Sequence, residues 1–216
     1  MYQYNDDSLM LHNDLYQINM AESYWNDGIH ERIAVFDLYF RKMPFNSGYA
    51  VFNGLKRVVN FIENFGFTNE DITYLKSIGY EEDFLNYLKD LKFTGNIKSM
   101  QEGEICFGNE PLLRVEAPLI QAQLIETILL NIINFQTLIA TKASRIRQIA
   151  THDTLMEFGT RRAQEIDAAL WGARAAFIGG FDSTSNVRAG KLFNIPVSGT
   201  HAHALVQTYG DEYIAF

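Results

Sequence analysis

Ile195-Pro-Val-Ser-Gly-Thr-His-Ala-His-Ala-Leu-Val-Gln207 is the stretch whose reading decides the fold. Its apolar start, Ile195 to Val197, breaks at Ser198-Gly199-Thr200, and His201 and His203 then stand at the start of what reads as a helix. An apolar strand that ends in glycine and opens onto polar residues is how an α/β fold presents chemistry at the carboxyl edge of its sheet. The two histidines sit at alternate positions. On a helix they diverge by about 200°, whereas on an extended turn they share one side.

The same strand–loop–helix style begins upstream, at Asp153. Leu155 to Phe158 reads as a short strand ending at Gly159-Thr160-Arg161-Arg162, with a helix after it through Ala173. Phe177-Ile178-Gly179-Gly180 reads as the next strand, ending at Phe181-Asp182-Ser183-Thr184, and Thr184 or Ser185 opens a helix to about Phe193. Ile195 to Ser198 is the third strand. Alternating β and α elements imply parallel strands with helices outside them. That order brings Thr160-Arg161-Arg162, Asp182-Ser183-Thr184 and Thr200-His201-Ala202-His203 to one rim. Three strands do not close a barrel of eight, so the chain reads as the front part of a longer protein.

Residues 1–150 have a different style and read as a separate α+β domain, with the barrel units in 151–216. Asn13 or Asp14 can cap a helix over Leu11 to Trp25 whose apolar side carries Leu15, Ile18, Met20 and Tyr24. Asn26-Asp27-Gly28 ends it. Ile33 to Phe40 alternates loosely and is rich in aromatics, as a strand is. Tyr49 to Asn64 passes from a strand or turn into a helix around Leu55 to Phe65. Thr68 or Asn69 caps a further helix with acids in its first turn, and helical pieces continue to about Lys92. In Phe93 to Pro118, Gly95, Gly103, Gly108 and Pro111 punctuate short β-prone runs, which predicts a small antiparallel β layer of its own. Leu119 to Ala150 is apolar on more than one side, so it reads as a buried helix, and its last turns become basic at Lys142, Arg145 and Arg147.

Composition bounds the function. With 216 residues and 47% hydrophobic residues the chain can bury a sizeable core. A net charge of -8 gives no electrostatic case for nucleic acid or an anionic membrane. Leu119 to Ala140 is interrupted by Gln121, Gln123, Glu126, Asn131, Asn134 and Gln136, so no membrane span is expected. Cys106 is the single cysteine, which fits a reducing compartment, and the acidic start Met1-Tyr-Gln-Tyr-Asn-Asp-Asp7 is unlike a signal peptide. A cytoplasmic protein is expected.

Each candidate residue carries a second reading. Arg161 can grip a carboxylate or phosphate with two hydrogen bonds, or form a surface salt bridge. Gly179-Gly180 with Ser183, Thr184 and Ser185 can offer N–H groups and hydroxyls to an anion, or make a plain turn and cap. Tyr16, Tyr39 and Phe40 can stack on a flat ring, or pack in the core. His203 can be nucleophile, base or metal ligand, and two histidines in one strand-end loop favour chemistry over structure.

Together, Glu157-Phe-Gly-Thr-Arg-Arg-Ala-Gln164, Gly179-Gly-Phe-Asp-Ser-Thr-Ser-Asn186, Gly199-Thr-His-Ala-His203, Asn13-Asp-Leu-Tyr-Gln17 and Phe40-Arg-Lys-Met-Pro44 resemble the nicotinate phosphoribosyltransferase family. The resemblance runs from about residue 8 onward. It implies a type II phosphoribosyltransferase-like α/β fold: an α+β N-terminal domain followed by the first strands of an irregular, incomplete α/β barrel. Members are considerably longer, and the later strands supply much of the phosphoribosyl-pyrophosphate site. The implied reaction joins nicotinate to 5-phosphoribosyl 1-pyrophosphate, giving nicotinate mononucleotide and pyrophosphate at the entry to NAD salvage, with ATP hydrolysed and Mg2+ required. The resemblance implies a phosphorylated His203, Tyr16 stacked on the nicotinate ring, and Arg161 on its carboxylate or on a phosphate. It further implies that Ser183 and Thr184 line the pocket, that Thr200 lies beside the reacting histidine, and that the protein is a homodimer. This fragment alone is expected to be inactive. Two other readings compete: a metal-dependent hydrolase built on the His201–His203 pair, and a non-catalytic remnant or assembly subunit whose open half-barrel needs a covering partner.

Overall fold

In the computed structural model, which describes residues 9–216, the first helix is α1 (Leu15–Asn26) with Asp14 at its N-cap. Asp14 takes the expected N-cap position, but its side chain makes no cap hydrogen bond. Asn13 turns its amide to the carbonyls of Met10 (3.0 Å) and Leu124 (2.8 Å) instead. The buried side of α1 is Gln17, Ile18 and Ala21. Leu15 and Met20, expected inside, are exposed.

Next come β1 (Ile33–Leu38), a 3-10 turn at Pro44–Asn46, β2 (Ala50–Val51) and α2 (Leu55–Glu63). Gly54 opens α2 at φ 111°, and a Cβ there would lie 3.1 Å from Ile133 Cδ1 and 3.2 Å from the Ile132 carbonyl oxygen. Only glycine fits both the torsion and the approach. Helix α3 (Asn69–Ser77) starts with a full capping box. Thr68 Oγ1 accepts from Asp71 N at 3.1 Å, and Asp71 Oδ2 accepts from Thr68 N at 2.7 Å. Helix α4 (Glu82–Asp90) follows.

The glycine-punctuated region gives β3 (Asn96–Ser99), β4 (Ile105–Cys106) and β5 (Leu113–Pro118). They are antiparallel, but they do not stand apart as expected. The sheet order is β1-β5-β3, with Ile33 opposite Pro118 and Leu38 opposite Leu113, and β4 pairs with β2. Strand β1 completes the layer because its inward residues, including Phe36 and Leu38, meet the inward Val115 and Leu113 across the ladder.

Helix α5 (Leu119–Ile149) is the long apolar run, 31 residues in one piece. It supplies Ile120, Leu124, Ile125, Ile128, Ile132 and Ile133 to the core cluster that also holds Phe52, Leu75, Phe84 and Leu88. At about 1.5–3 kcal/mol per buried aliphatic side chain, those six contribute on the order of 10 kcal/mol, the largest single share of any helix here. By length and composition α5 would also pass as a membrane span, but 56% of its apolar window is buried within the protein. Thr137 and Thr141, one turn apart, accept from the backbone N–H groups of Asn53 (3.1 Å) and Val51 (2.9 Å). That pins the short β2 segment to the helix.

The chain divides into two units, Met1–Thr141 and Lys142–Phe216. The second holds β6 (Met156–Glu157), a 3-10 turn at Thr160–Arg162, α6 (Glu165–Ile178), β7 (Ser183–Thr184), α7 (Val187–Phe193), α8 (His203–Tyr209) and α9 (Glu212–Ala215). Strands β6 and β7 are parallel, with Met156 opposite Ser183 and Glu157 opposite Thr184. Val197 bridges to Thr184, also in parallel, through Thr184 N to Pro196 O and Ser198 N to Thr184 O, each 3.0 Å. The third expected strand is therefore a single parallel bridge.

The second expected strand is displaced. Phe177 and Ile178 form the last turn of α6, and the strand is Ser183–Thr184, within the expected loop. A short apolar run fits strand or buried helix equally, and the alanines at 168, 169, 173, 175 and 176 carry the helix on until Gly179. With Thr184 in the strand, the helix cap passes to Asn186, whose Oδ1 accepts from Ala189 N at 3.0 Å.

Candidate active site

In the second unit, one carboxylate joins two strand ends. Glu157, closing β6, accepts the Thr184 hydroxyl at Oε2 (2.7 Å) and the Gly159 N–H at Oε1. Thr184 Oγ1 in turn accepts from Asn186 N at 3.0 Å. Thr184 is fully buried, so its hydroxyl serves as a brace inside the unit. Its neighbour Ser183 is also buried, yet its Oγ has no protein partner among the described residues. Of the two expected pocket hydroxyls, Ser183 holds the uncommitted one.

Arg147, near the end of α5, organises the turn before β7. Its Nε donates to Gly180 O (2.7 Å), Nη1 to Ala150 O (2.9 Å) and Asp153 O (2.8 Å), and Nη2 to Asp182 Oδ2 (2.5 Å). Asp182 Oδ2 also accepts from Leu155 N at 2.7 Å. That backbone hydrogen bond and the one from Arg147 hold the Asp182 carboxyl below the usual carboxylate range.

Arg161 sits in the 3-10 turn and lines an open hollow with Thr160, Glu165, Asn186 and Arg188. Two guanidinium-bearing residues around one hollow suit a carboxylate or phosphate. Thr200 lies in the exposed loop before α8, and His203 is the exposed first residue of α8. His201 is held differently, with its ring edge-on to Phe216 at 5.0 Å between centroids.

Tyr16 belongs to the first unit. It is 51% exposed on α1 and lines a hollow with Asp14, Tyr39, Phe40, Arg41 and Glu126. The Glu126 carboxylate raises the Tyr16 phenol above its ordinary pKa, with burial and Asp14 adding to the effect and the Gln17 hydrogen bond offsetting part of it. The three aromatics quoted from the sequence, Tyr16, Tyr39 and Phe40, do line one hollow.

The sequence assigned no site role to Gln17, Glu126, Glu157 or Asn186, and gave Arg147 only a place among the basic residues ending the long helix. Gln17's partner Glu126 and Arg147's partners Gly180 and Asp182 lie 109 and 33 to 35 positions away. Those separations exceed any local pattern. Asn186 had a usable signal, since Asn is a preferred N-cap.

The family model described as nicotinate phosphoribosyltransferase (NAPRTase) N-terminal domain matches residues 11–134. The chain belongs to the nicotinate phosphoribosyltransferase family. It is 66% identical to nicotinate phosphoribosyltransferase of Bacillus subtilis (strain 168), over 100% of this chain and 44% of that protein. It is 47% identical to nicotinate phosphoribosyltransferase 2 of Arabidopsis thaliana, over 91% of this chain and 36% of that protein. The crystal structure of human nicotinic acid phosphoribosyltransferase aligns with a TM-score of 0.85 and 39% identity, over 91% of this chain and 40% of that one. At 24% identity, the nicotinate-nucleotide pyrophosphorylase from Pyrococcus furiosus shares the fold, with a TM-score of 0.79. The chain thus spans less than half the length of these relatives, and its α/β fold is of the type II phosphoribosyltransferase kind.

Proposed function

We propose that this chain is the N-terminal portion of an enzyme that joins nicotinate to 5-phosphoribosyl 1-pyrophosphate, giving nicotinate mononucleotide and pyrophosphate for NAD salvage. The observation that carries the reading is the 66% identity to the Bacillus subtilis relative over the whole chain.

Within that reading the residues divide the work. Tyr16 offers its ring face to the pyridine. Arg161, with Arg188 beside the same hollow, receives the carboxylate or a phosphate. Ser183 adds a free hydroxyl. His203 accepts the γ-phosphoryl group of ATP: an imidazole nitrogen attacks phosphorus, the bond to the bridging oxygen breaks, and ADP leaves. Its exposure at the start of α8 gives a nucleotide access. Thr200 stands in the loop before it. Mg2+ would neutralise the charge that develops on the phosphoryl oxygens. No group of three or more His, Cys, Asp or Glu among the described residues is placed to hold a metal ion. A Mg2+ in this role is carried largely by substrate phosphates. The enzyme acts as a homodimer in the cytoplasm.

The test is to incubate the protein, both as these 216 residues and as the longest reading frame containing them, with γ-labelled ATP and Mg2+. Acid-labile, alkali-stable label that disappears in His203→Ala supports the phosphohistidine. A folded long form that takes no label overturns it.

A further inference from the structure

Gln17 is the one long polar side chain on the buried side of α1, and it is wholly excluded from solvent. Its amide nitrogen donates to Tyr16 Oη at 3.0 Å and to Glu126 Oε2 of α5 at 2.9 Å. The direction of these bonds is fixed by chemistry. An ionised carboxylate only accepts, so the NH2 end of the amide faces Glu126, and its second hydrogen is the one aimed at the phenol. Gln123 Nε2 reaches the same Glu126 oxygen at 3.4 Å. Burial of a glutamine on this scale costs free energy unless its hydrogen bonds are made; Nε2 makes both of its bonds, whereas Oε1 is buried with no partner among the described residues. Helix packing alone would be served better by an aliphatic residue such as the neighbouring Ile18.

We propose that Gln17 is a positioning residue for Tyr16. It fixes the phenol oxygen as an acceptor on its inner side, which leaves the hydroxyl hydrogen for the outer side, where Tyr16 lines a hollow with Asp14, Phe40, Arg41 and Glu126. Tyr16 then meets a planar ligand with its ring angle set and with a donor, not an acceptor, at its tip. A tyrosine 51% exposed on a helix would otherwise rotate, and holding one rotamer in advance spares the ligand that ordering cost. The proposal rests on the reading of Tyr16 as the stacking residue for nicotinate.

Two readouts separate positioning from mere support, both on Gln17→Leu and Gln17→Met in the longest reading frame, at a temperature where each variant is folded. The first is the ring ζ-carbon resonance of Tyr16 in the ligand-free protein, assigned with Tyr16→Phe. It should shift in both variants, and a resonance superimposable on the parent's overturns the proposal. The second is kinetic. The KM for nicotinate should rise by up to about tenfold, the worth of one lost hydrogen bond, with the KM for 5-phosphoribosyl 1-pyrophosphate unchanged. An equal rise in both, or no rise, overturns it. Should the parent not turn over nicotinate at all, the transferase reading fails, while the Tyr16 resonance still decides whether Gln17 holds the phenol.

Discussion

The Glu157 carboxylate and the Thr184 hydroxyl meet at 2.7 Å across two parallel strands of two residues each. Strands that short carry few ladder hydrogen bonds, so side-chain bonds must hold their ends. Thr184→Val keeps the shape but removes the donor to Glu157 and the acceptor for Asn186 N, and it should destabilise the second unit by about 1–3 kcal/mol. Ser183→Ala, one residue away, removes a buried hydroxyl with no protein partner and should change stability by less than about 0.5 kcal/mol. Urea unfolding followed on a probe in the second unit separates the two. Equal effects would contradict the assigned roles.

Arg147 and Asp182 predict a pH dependence. Asp182 is held below the usual carboxylate range, first by Leu155 N and then by Arg147. A depressed folded-state pKa means the unfolded chain binds the proton more readily. The stabilisation is therefore complete above the ordinary aspartate range and drains away as pH falls through it. Acid unfolding of Asp182→Asn should start from lower stability at neutral pH and show a shallower slope between about pH 5 and 2 than the parent. Parallel curves would show that Asp182 is not linked to folding.

Gly54→Ala meets both a left-handed torsion and the side chains of Ile132 and Ile133. It should cost about 2 kcal/mol or more in the first unit. Gly28→Ala is a matched control, because Gly28 also has positive φ (65°) but open space around it. It should cost about 1 kcal/mol. A thermal melt that ranks Gly28→Ala as the worse variant would refute the contact argument.

Arg161→Lys tests the anion contact. A point charge cannot reproduce a two-pronged guanidinium contact, so kcat/KM for nicotinate should fall about 10- to 100-fold with the melting temperature unchanged. Unaltered kinetics would remove Arg161 from the site.

Much of this was legible in the chain. The apolar run from Leu119 announces α5, and Thr68 with Asp71 announces the start of α3, because both signals are local. The order of the motifs announced the family. The strand placed at Phe177–Gly180 failed because a four-residue apolar run carries no period of its own, and the alanines before it extended the helix. The reading of Leu15 as inward, where Gln17 is buried instead, failed for a different reason. Gln17's partner Glu126 lies on α5, and only folding brings the two helices together. The strand β7 in place of the expected loop likewise moved the cap from Thr184 or Ser185 to Asn186.

The most direct test of the central claim is product formation. Labelled nicotinate, 5-phosphoribosyl 1-pyrophosphate, ATP and Mg2+ would be supplied to the longest reading frame containing this chain, with nicotinamide and quinolinate as parallel substrates and Tyr16→Ala as the binding control. The account predicts labelled nicotinate mononucleotide from nicotinate alone, raised by ATP and sharply reduced in Tyr16→Ala. A folded protein that forms no mononucleotide, or that forms it equally from nicotinamide, would contradict it.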